Sequence, residues 1–200
     1  MQKKNLLFGA IILFSSLVAN AQIEKKDWLL GGSFGYNSTN FNSGSANSNA
    51  NIVPHIGYAI GNNSVVGLNF SVSFYQNESE NKSFSWYTYA YYKKFFPIKQ
   101  KFGAYLQLNA GIGWNKYSSY IYDSLGTGTK ITSNYHAYLV SVVPGVYYHV
   151  TPGILLNADC GGISYNYTKG QYDSWNSSFV FNFLSSFTFG VDFILGRKKS

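Results

Sequence analysis

Side chains able to act as ligands, nucleophiles or proton carriers are few in this chain: three histidines (His55, His136, His149), one cysteine (Cys160) and eight carboxylates among 200 residues. A metal centre needs several such groups to converge. Nucleophilic hydrolysis needs a nucleophile, a base and an orienting acid within hydrogen-bond reach. Around His136 the neighbours Ala137 and Tyr138 bring no serine two residues on, and no Asp or Glu precedes it in its run. The Asn-rich stretch from Ser43 to Asn51 lacks the strand-to-helix context that makes a glycine loop a phosphate cradle. Cys160 reads as a small apolar residue rather than a redox thiol, and a single cysteine excludes disulfides within the chain. No catalytic, cofactor-binding or metal-ligating residue is therefore assigned, and no cofactor is expected.

Which of these groups could meet depends on the elements that carry them. The composition is 19% aromatic and 12% charged, with 20 glycines, which suits strands and turns, while helix formers are scarce. Apolar and polar residues alternate with period two from Trp28 to Leu195. Strands are expected at 28–37, 51–60, 65–76, 84–95, 102–115, 134–149, 154–166 and 179–195. The third puts Val66, Leu68, Phe70, Val72 and Phe74 on one face against Gly67, Asn69, Ser71, Ser73 and Tyr75 on the other. The last carries Phe179, Phe181, Phe183, Phe187, Phe189, Val191, Phe193 and Leu195 opposite Val180, Asn182, Leu184, Ser186, Thr188, Gly190 and Asp192. By strand phase His55 and His149 point inward, and His136 and Cys160 outward. Asp159 and Asp192 are the inward acids, and a carboxylate in a narrow lumen needs a partner, which tyrosine hydroxyls or Lys93 could supply.

Connections alternate between tight (Gly61–Asn63, Pro97–Gln100, Thr151–Gly153) and long, polar ones at 38–50, 77–83, 116–133 and 167–178. Short turns at one end and long loops at the other fit a membrane-spanning barrel. A sandwich would bury the apolar face in its own core, and it predicts a protein soluble without detergent. The barrel is favoured because no Asp, Glu, Lys or Arg falls on the central apolar face, where a mid-bilayer Lys or Arg costs roughly 2–4 kcal/mol. Aromatics also gather at both ends of that face. Trp28, Tyr58, Tyr92, Tyr148 and Phe193 lie near the short turns, and Tyr36, Phe74, Trp86, Trp114 and Tyr138 toward the loops, as two headgroup girdles would.

Lys3 and Lys4, the apolar run Leu6 to Val18 and Ala19-Asn20-Ala21 read as an export signal over residues 1–21. The run is shorter than the roughly 20 residues of a helical span. A single barrel domain is then expected over 22–200. The formal charge of the whole chain is +7. Lys25, Lys26, Lys93, Lys94, Lys99, Lys101, Arg197, Lys198 and Lys199 fall at the short-turn side, spread over turns and a tail rather than interleaved with aromatics in one groove. Nucleic acid is therefore not an expected partner.

Pro54, Gly57 and Tyr58 before Gly61-Asn62-Asn63, then Gly67-Leu68-Asn69, recur as Pro144-Gly145, Tyr147-Tyr148, Thr151-Pro152-Gly153 and Leu155 to Asp159. This pattern resembles the hairpin signature of the small outer-membrane β-barrel families abundant in Bacteroidota, similar in shape to OmpA/OmpX-type barrels. The chain departs from it in ending Arg197-Lys198-Lys199-Ser200 where many such barrels finish on an aromatic. The resemblance implies an all-β, eight-stranded, antiparallel up-and-down transmembrane β-barrel in the outer membrane of a Gram-negative cell. Outer-membrane lipid, lipopolysaccharide and the barrel-insertion machinery would be its partners, and a monomer is expected. The expected role is non-enzymatic: a structural or surface-interaction protein with polar external loops. A narrow porin-like channel and an outer-leaflet lipid hydrolase using His136 are the alternatives. An eight-stranded lumen tends to be filled, and Tyr75, Tyr87, Tyr89, Tyr105, Tyr147 and Tyr165 would narrow it further.

Overall fold

A computed structural model of the chain describes residues 23–40, 46–77, 81–122, 128–170, 175–184 and 187–196. The expected export signal (1–21) and the basic tail from Arg197 lie outside the described residues. Ten strands form one antiparallel sheet: β1 (Trp28–Asn40), β2 (Ala46–Gly61), β3 (Ser64–Asn77), β4 (Lys82–Pro97), β5 (Phe102–Tyr122), β6 (Gly128–Thr151), β7 (Ile154–Asp159), β8 (Ile163–Gly170), β9 (Trp175–Phe181) and β10 (Thr188–Leu195). Successive pairing from β1 to β7, then β7 with β10 and β10 with β1, closes the sheet on itself. β8 and β9 continue the wall above that ring, β8 on β6 and β9 on β8. The all-β antiparallel barrel expected from the sequence is thus observed.

Two expected strands are broken. The run 154–166 divides at Cys160–Gly162 into β7 and β8, and the run 179–195 divides at 182–187 into β9 and β10. The breaks lock onto each other: Gly162 N–H donates to Asn182 Oδ1 (2.8 Å), Asn182 N–H to Gly162 O (2.9 Å) and Leu184 N–H to Cys160 O (2.9 Å). Gly161 takes φ +74° there, and a Cβ would strike the Asn182 carbonyl, so the position requires glycine. The extra residue reverses the side-chain phase above it. Tyr165 therefore pairs with outward Val140 and is half exposed on the outer wall, rather than lining the lumen as expected.

The long connections are also shorter than expected. β5 and β6 stay in register up to Tyr122↔Gly128, and β1 and β2 up to Asn40↔Ala46. Much of what reads as polar loop in the sequence is two-stranded ribbon rising past the upper girdle. Beyond the bilayer both ribbon faces meet water, so the alternation that marks a strand disappears while the backbone ladder continues.

The outward face is apolar and exposed from Val66 through Phe70 to Phe74, and the girdle residues lie on it, with Trp28 edge-on to Tyr58 at 5.1 Å. Inside, tyrosines are seated on glycines of the neighbouring strand: Tyr91 faces Gly67, Tyr87 Gly113, Tyr89 Gly111, Tyr105 Gly145 and Tyr147 Gly103. A Cβ at any of these glycines would collide with the facing ring or hydroxyl. Each large ring fits a narrow lumen because its row partner has no side chain.

The short-turn end is closed. Leu29, Val65, Phe95, Leu155 and Ile194 converge there, and Ile23 folds under them with 1% of its surface exposed. Residues 23–27 are pinned by Asn63 N–H to Ile23 O (2.9 Å), Lys26 N–H to Ala59 O (2.8 Å) and Ala59 N–H to Asp27 O (2.8 Å).

Candidate functional site

Above this apolar floor the lumen is polar and holds a cavity of about 410 Å³. Beside it, one row of the barrel brings an imidazole and a carboxylate together. Gly31 on β1 lies directly opposite His55 on β2 and Asp192 on β10. With no side chain at Gly31, the imidazole and the carboxylate meet across β1: His55 Nε2 and Asp192 Oδ1 are in a short, direct contact. Asp192 is fully buried, and its second oxygen accepts from Asn157 Nδ2 at 3.1 Å. Burying a carboxylate is costly without such partners.

Asp159 accepts from the Tyr105 hydroxyl at 2.5 Å. Lys93, 5% exposed, sets its ammonium 4.7 Å from the Tyr105 ring centroid and 5.8 Å from those of Tyr91 and Phe95. Aromatic faces thereby share its charge. Higher up, Asn109 ties three strands together: it accepts from Gln107 (2.7 Å) and Asn69 (3.4 Å) and donates to Ser141 Oγ (3.0 Å). Neighbouring hydrogen-bonded amides and hydroxyls give the lumen donors and acceptors with little net charge.

The inward acids are placed as the sequence implies, and a tyrosine hydroxyl does serve Asp159. Sequence reasoning missed His55 as the partner of Asp192. The signal was available only through the cross-strand register that centres both on Gly31. Lys93 also belongs to this lumen rather than to the basic rim of the short-turn side. His149 is buried edge-on against Tyr147 (5.5 Å), away from His55 by strand position. His136 faces outward among Trp86, Trp114 and Tyr138. Cys160 sits in the wall break with Sγ 3.8 Å from the Ala158 carbonyl. Among the described residues, no three His, Cys, Asp or Glu side chains are grouped to hold a metal ion, and no helix is long and apolar enough to cross a membrane.

A closed antiparallel barrel with an apolar outer band, paired aromatic girdles and a polar lumen defines the outer-membrane class of β-barrel. The sequence profile of the outer membrane protein β-barrel domain matches residues 6–187, and the chain belongs to that family. None of the curated proteins compared with the chain matches it. Among solved structures it is similar to Neisserial surface protein A, at 20% identity over 84% of this chain and 96% of that one (TM-score 0.41). The N-terminal β-barrel domain of OprF from Pseudomonas aeruginosa is similar at 11% identity over 86% of this chain and all of that one (TM-score 0.39). Ail, the attachment invasion locus protein of Yersinia pestis, is similar at 16% over the same shares (TM-score 0.36). The family rests on the profile match.

Proposed function

We propose that this chain is a non-enzymatic, non-conducting barrel of the outer membrane that presents its long polar hairpins to the cell exterior as surface-interaction elements. The observation that carries this reading is the apolar floor. Ile23, Leu29, Val65, Phe95, Leu155 and Ile194 fill the cross-section at the short-turn end, so an ion reaching the polar lumen meets a dehydrated barrier rather than an exit. Short turns then face the periplasm and the hairpins face outward, as in barrels of this class. His136, the one histidine near the external level, stands among Trp86, Trp114 and Tyr138 and opposite Lys169 on β8, with no Ser, Thr, Cys, Asp or Glu in its pocket, which supports the non-enzymatic reading. Residues 1–21 would direct export, the insertion machinery would assemble the barrel, and it would work as a monomer among outer-membrane lipid and lipopolysaccharide, with no nucleic-acid partner.

The test is planar-bilayer recording of the purified, refolded protein. A flat baseline is expected. Steady, resolved unitary currents that grow with protein added would overturn the non-conducting reading. Outer-leaflet lipid from expressing cells should keep its mass, and a mass change lost in His136→Ala would overturn the non-enzymatic one.

A further inference from the structure

The wall of the barrel is not uniform. The pairing of β1 with β10 ends at Phe34↔Phe189, and from Gly35 upward β1 pairs only with β2. β9 continues the opposite wall, yet no Cα of β9 comes within 8 Å of any Cα of β1. Neighbouring strands in a sheet stand only about 4.7–4.9 Å apart, so a seam opens between them. It begins one residue pair below the girdle residue Tyr36, within the part of the band nearest the long hairpins.

Two cavities lie on opposite faces of the wall at the foot of this seam. On the lipid side an apolar groove of about 460 Å³ is walled by Phe34, Ile52, Pro54, Leu156, Phe189 and Val191. On the inner side lies the polar lumen cavity, which reaches the wall break at Gly161, Gly162, Asn182 and Thr188. Ser33 and Asn157 line both. The wall between them is thinned because Gly32 and Gly190 contribute no side chain there. Both volumes are of the size that holds small ligands, roughly 300–1,000 Å³.

We infer that this seam is a binding site for a single-chain amphiphile drawn from the surrounding leaflet, its acyl chain lying in the phenylalanine-walled groove and an uncharged, hydroxyl- or amide-bearing head turned into the lumen. The tail follows from the groove's lining. The head follows from three features. Among the described residues the backbone edge of β1 above Phe34 has no strand on its β10 side, and in hydrocarbon such groups need donors and acceptors. Toward the seam the lumen cavity is lined by Ser33, Asn157 and Asn182, side chains that recognise hydroxyls and amides. The carboxylate and the ammonium that line the lumen cavity are Asp159 and Lys93, the latter lying over aromatic rings, so the lining offers no surplus of positive charge to an anionic head. This site does not depend on whether the hairpins bind a surface partner.

The test uses the full barrel in phosphatidylcholine vesicles with a monoacylglycerol carrying a diazirine near the end of its chain, followed by peptide mass mapping after illumination. Label is expected on β1, β2 and β10 around Phe34, Ile52 and Phe189, about tenfold above the opposite wall at Leu108 and Ile112, the ratio given by about 1.4 kcal/mol of preference. Gly32→Leu should bring the groove label down to the opposite-wall level. A Cβ at Gly32 meets Pro54 Cα at 3.4 Å, an ordinary contact, so the change fills the groove without forcing the backbone. Val191→Trp fills the same groove from β10 and serves if the first variant does not fold, as judged by the heat-shifted band on gels. Label spread evenly around the perimeter, or unchanged in a folded filled variant, overturns the site. Equal groove labelling by the same chain on a lysophosphatidic acid overturns the uncharged head. A cross-linked dimer band with no groove label assigns the seam to a second copy and overturns the inference.

Discussion

Removal of the His55 imidazole tests whether the row centred on Gly31 holds the barrel together. In His55→Leu, Asp192 stays fully buried on the lumen side and keeps only the Asn157 amide at 3.1 Å as a hydrogen-bond donor. Breaking a buried pair by deleting one partner costs about 3–5 kcal/mol, whereas replacing both partners with groups that need no pairing is often neutral. Because Asn157 remains, the expected loss lies near the lower end, about 3 kcal/mol. Asp192→Asn in the same chain removes the stranded charge and should restore most of that loss, giving a coupling of about 1.5 kcal/mol or more between the two positions. The assay is urea unfolding of the barrel in phosphatidylcholine vesicles, followed by fluorescence of its four tryptophans. An unchanged slope against urea shows that only stability moved. A loss under about 1 kcal/mol in His55→Leu, or additive losses in the double variant, would show that the pair is not a structural unit.

Four further outcomes follow from the same packing. Gly31→Ala places a Cβ against Asp192 Oδ1 and the Val191 carbonyl and 2.9 Å from His55 Nε2, so it should destabilise by about 2 kcal/mol or more in the urea assay, against the usual gain from alanine. Tyr105→Phe leaves Asp159 without its 2.5 Å donor and should cost about 1–3 kcal/mol by the same measurement. Phe70→Lys, at mid-height on the lipid face, should cost roughly 2–4 kcal/mol, while Tyr117→Lys on the ribbon above the girdle should change stability by less than about 1 kcal/mol. Phe95→Ala removes a ring that is 2% exposed in the apolar floor and should cost about 3–5 kcal/mol; if the floor is the barrier, planar-bilayer recordings of this variant should show leak currents absent from the parent.

The sequence is most legible where water and lipid oppose each other across one strand. Val66 to Phe74 and Trp28 to Tyr36 alternate because each residue must satisfy a different solvent, so their faces, the girdles and the inward acids could all be read directly. Legibility fails where that opposition stops. Ser118 and Thr132, hydrogen-bonded at 3.2 Å, lie in ribbon that reads as loop because polar residues fall on both of its faces. The break at Cys160–Gly162 keeps an apparently continuous alternation in the sequence while reversing phase in space, which is why Tyr165 was expected inside. The His55–Asp192 pair depends on a register joining residues 137 apart, which no local pattern encodes. The floor depends on Ile23, a residue before the first strand whose role emerges only when residues 23–27 fold under the ring.

The tyrosine–glycine rows bear on how the barrel finds its pairing during assembly. Sliding β4 against β5 by two residues preserves every inside and outside face, so lipid and water alone would tolerate the error. It would not fit the lumen: in the native register Tyr87 and Tyr89 each face a glycine, whereas a shift of two residues in one direction sets Tyr89 against the side chain of Asn109, and in the other sets Tyr87 against that of Asn115. Such a slip replaces a ring over empty space with two side chains competing for it. The glycines act as a proofreading code, in which correct alignment is the arrangement that leaves both Tyr87 and Tyr89 a vacancy to occupy.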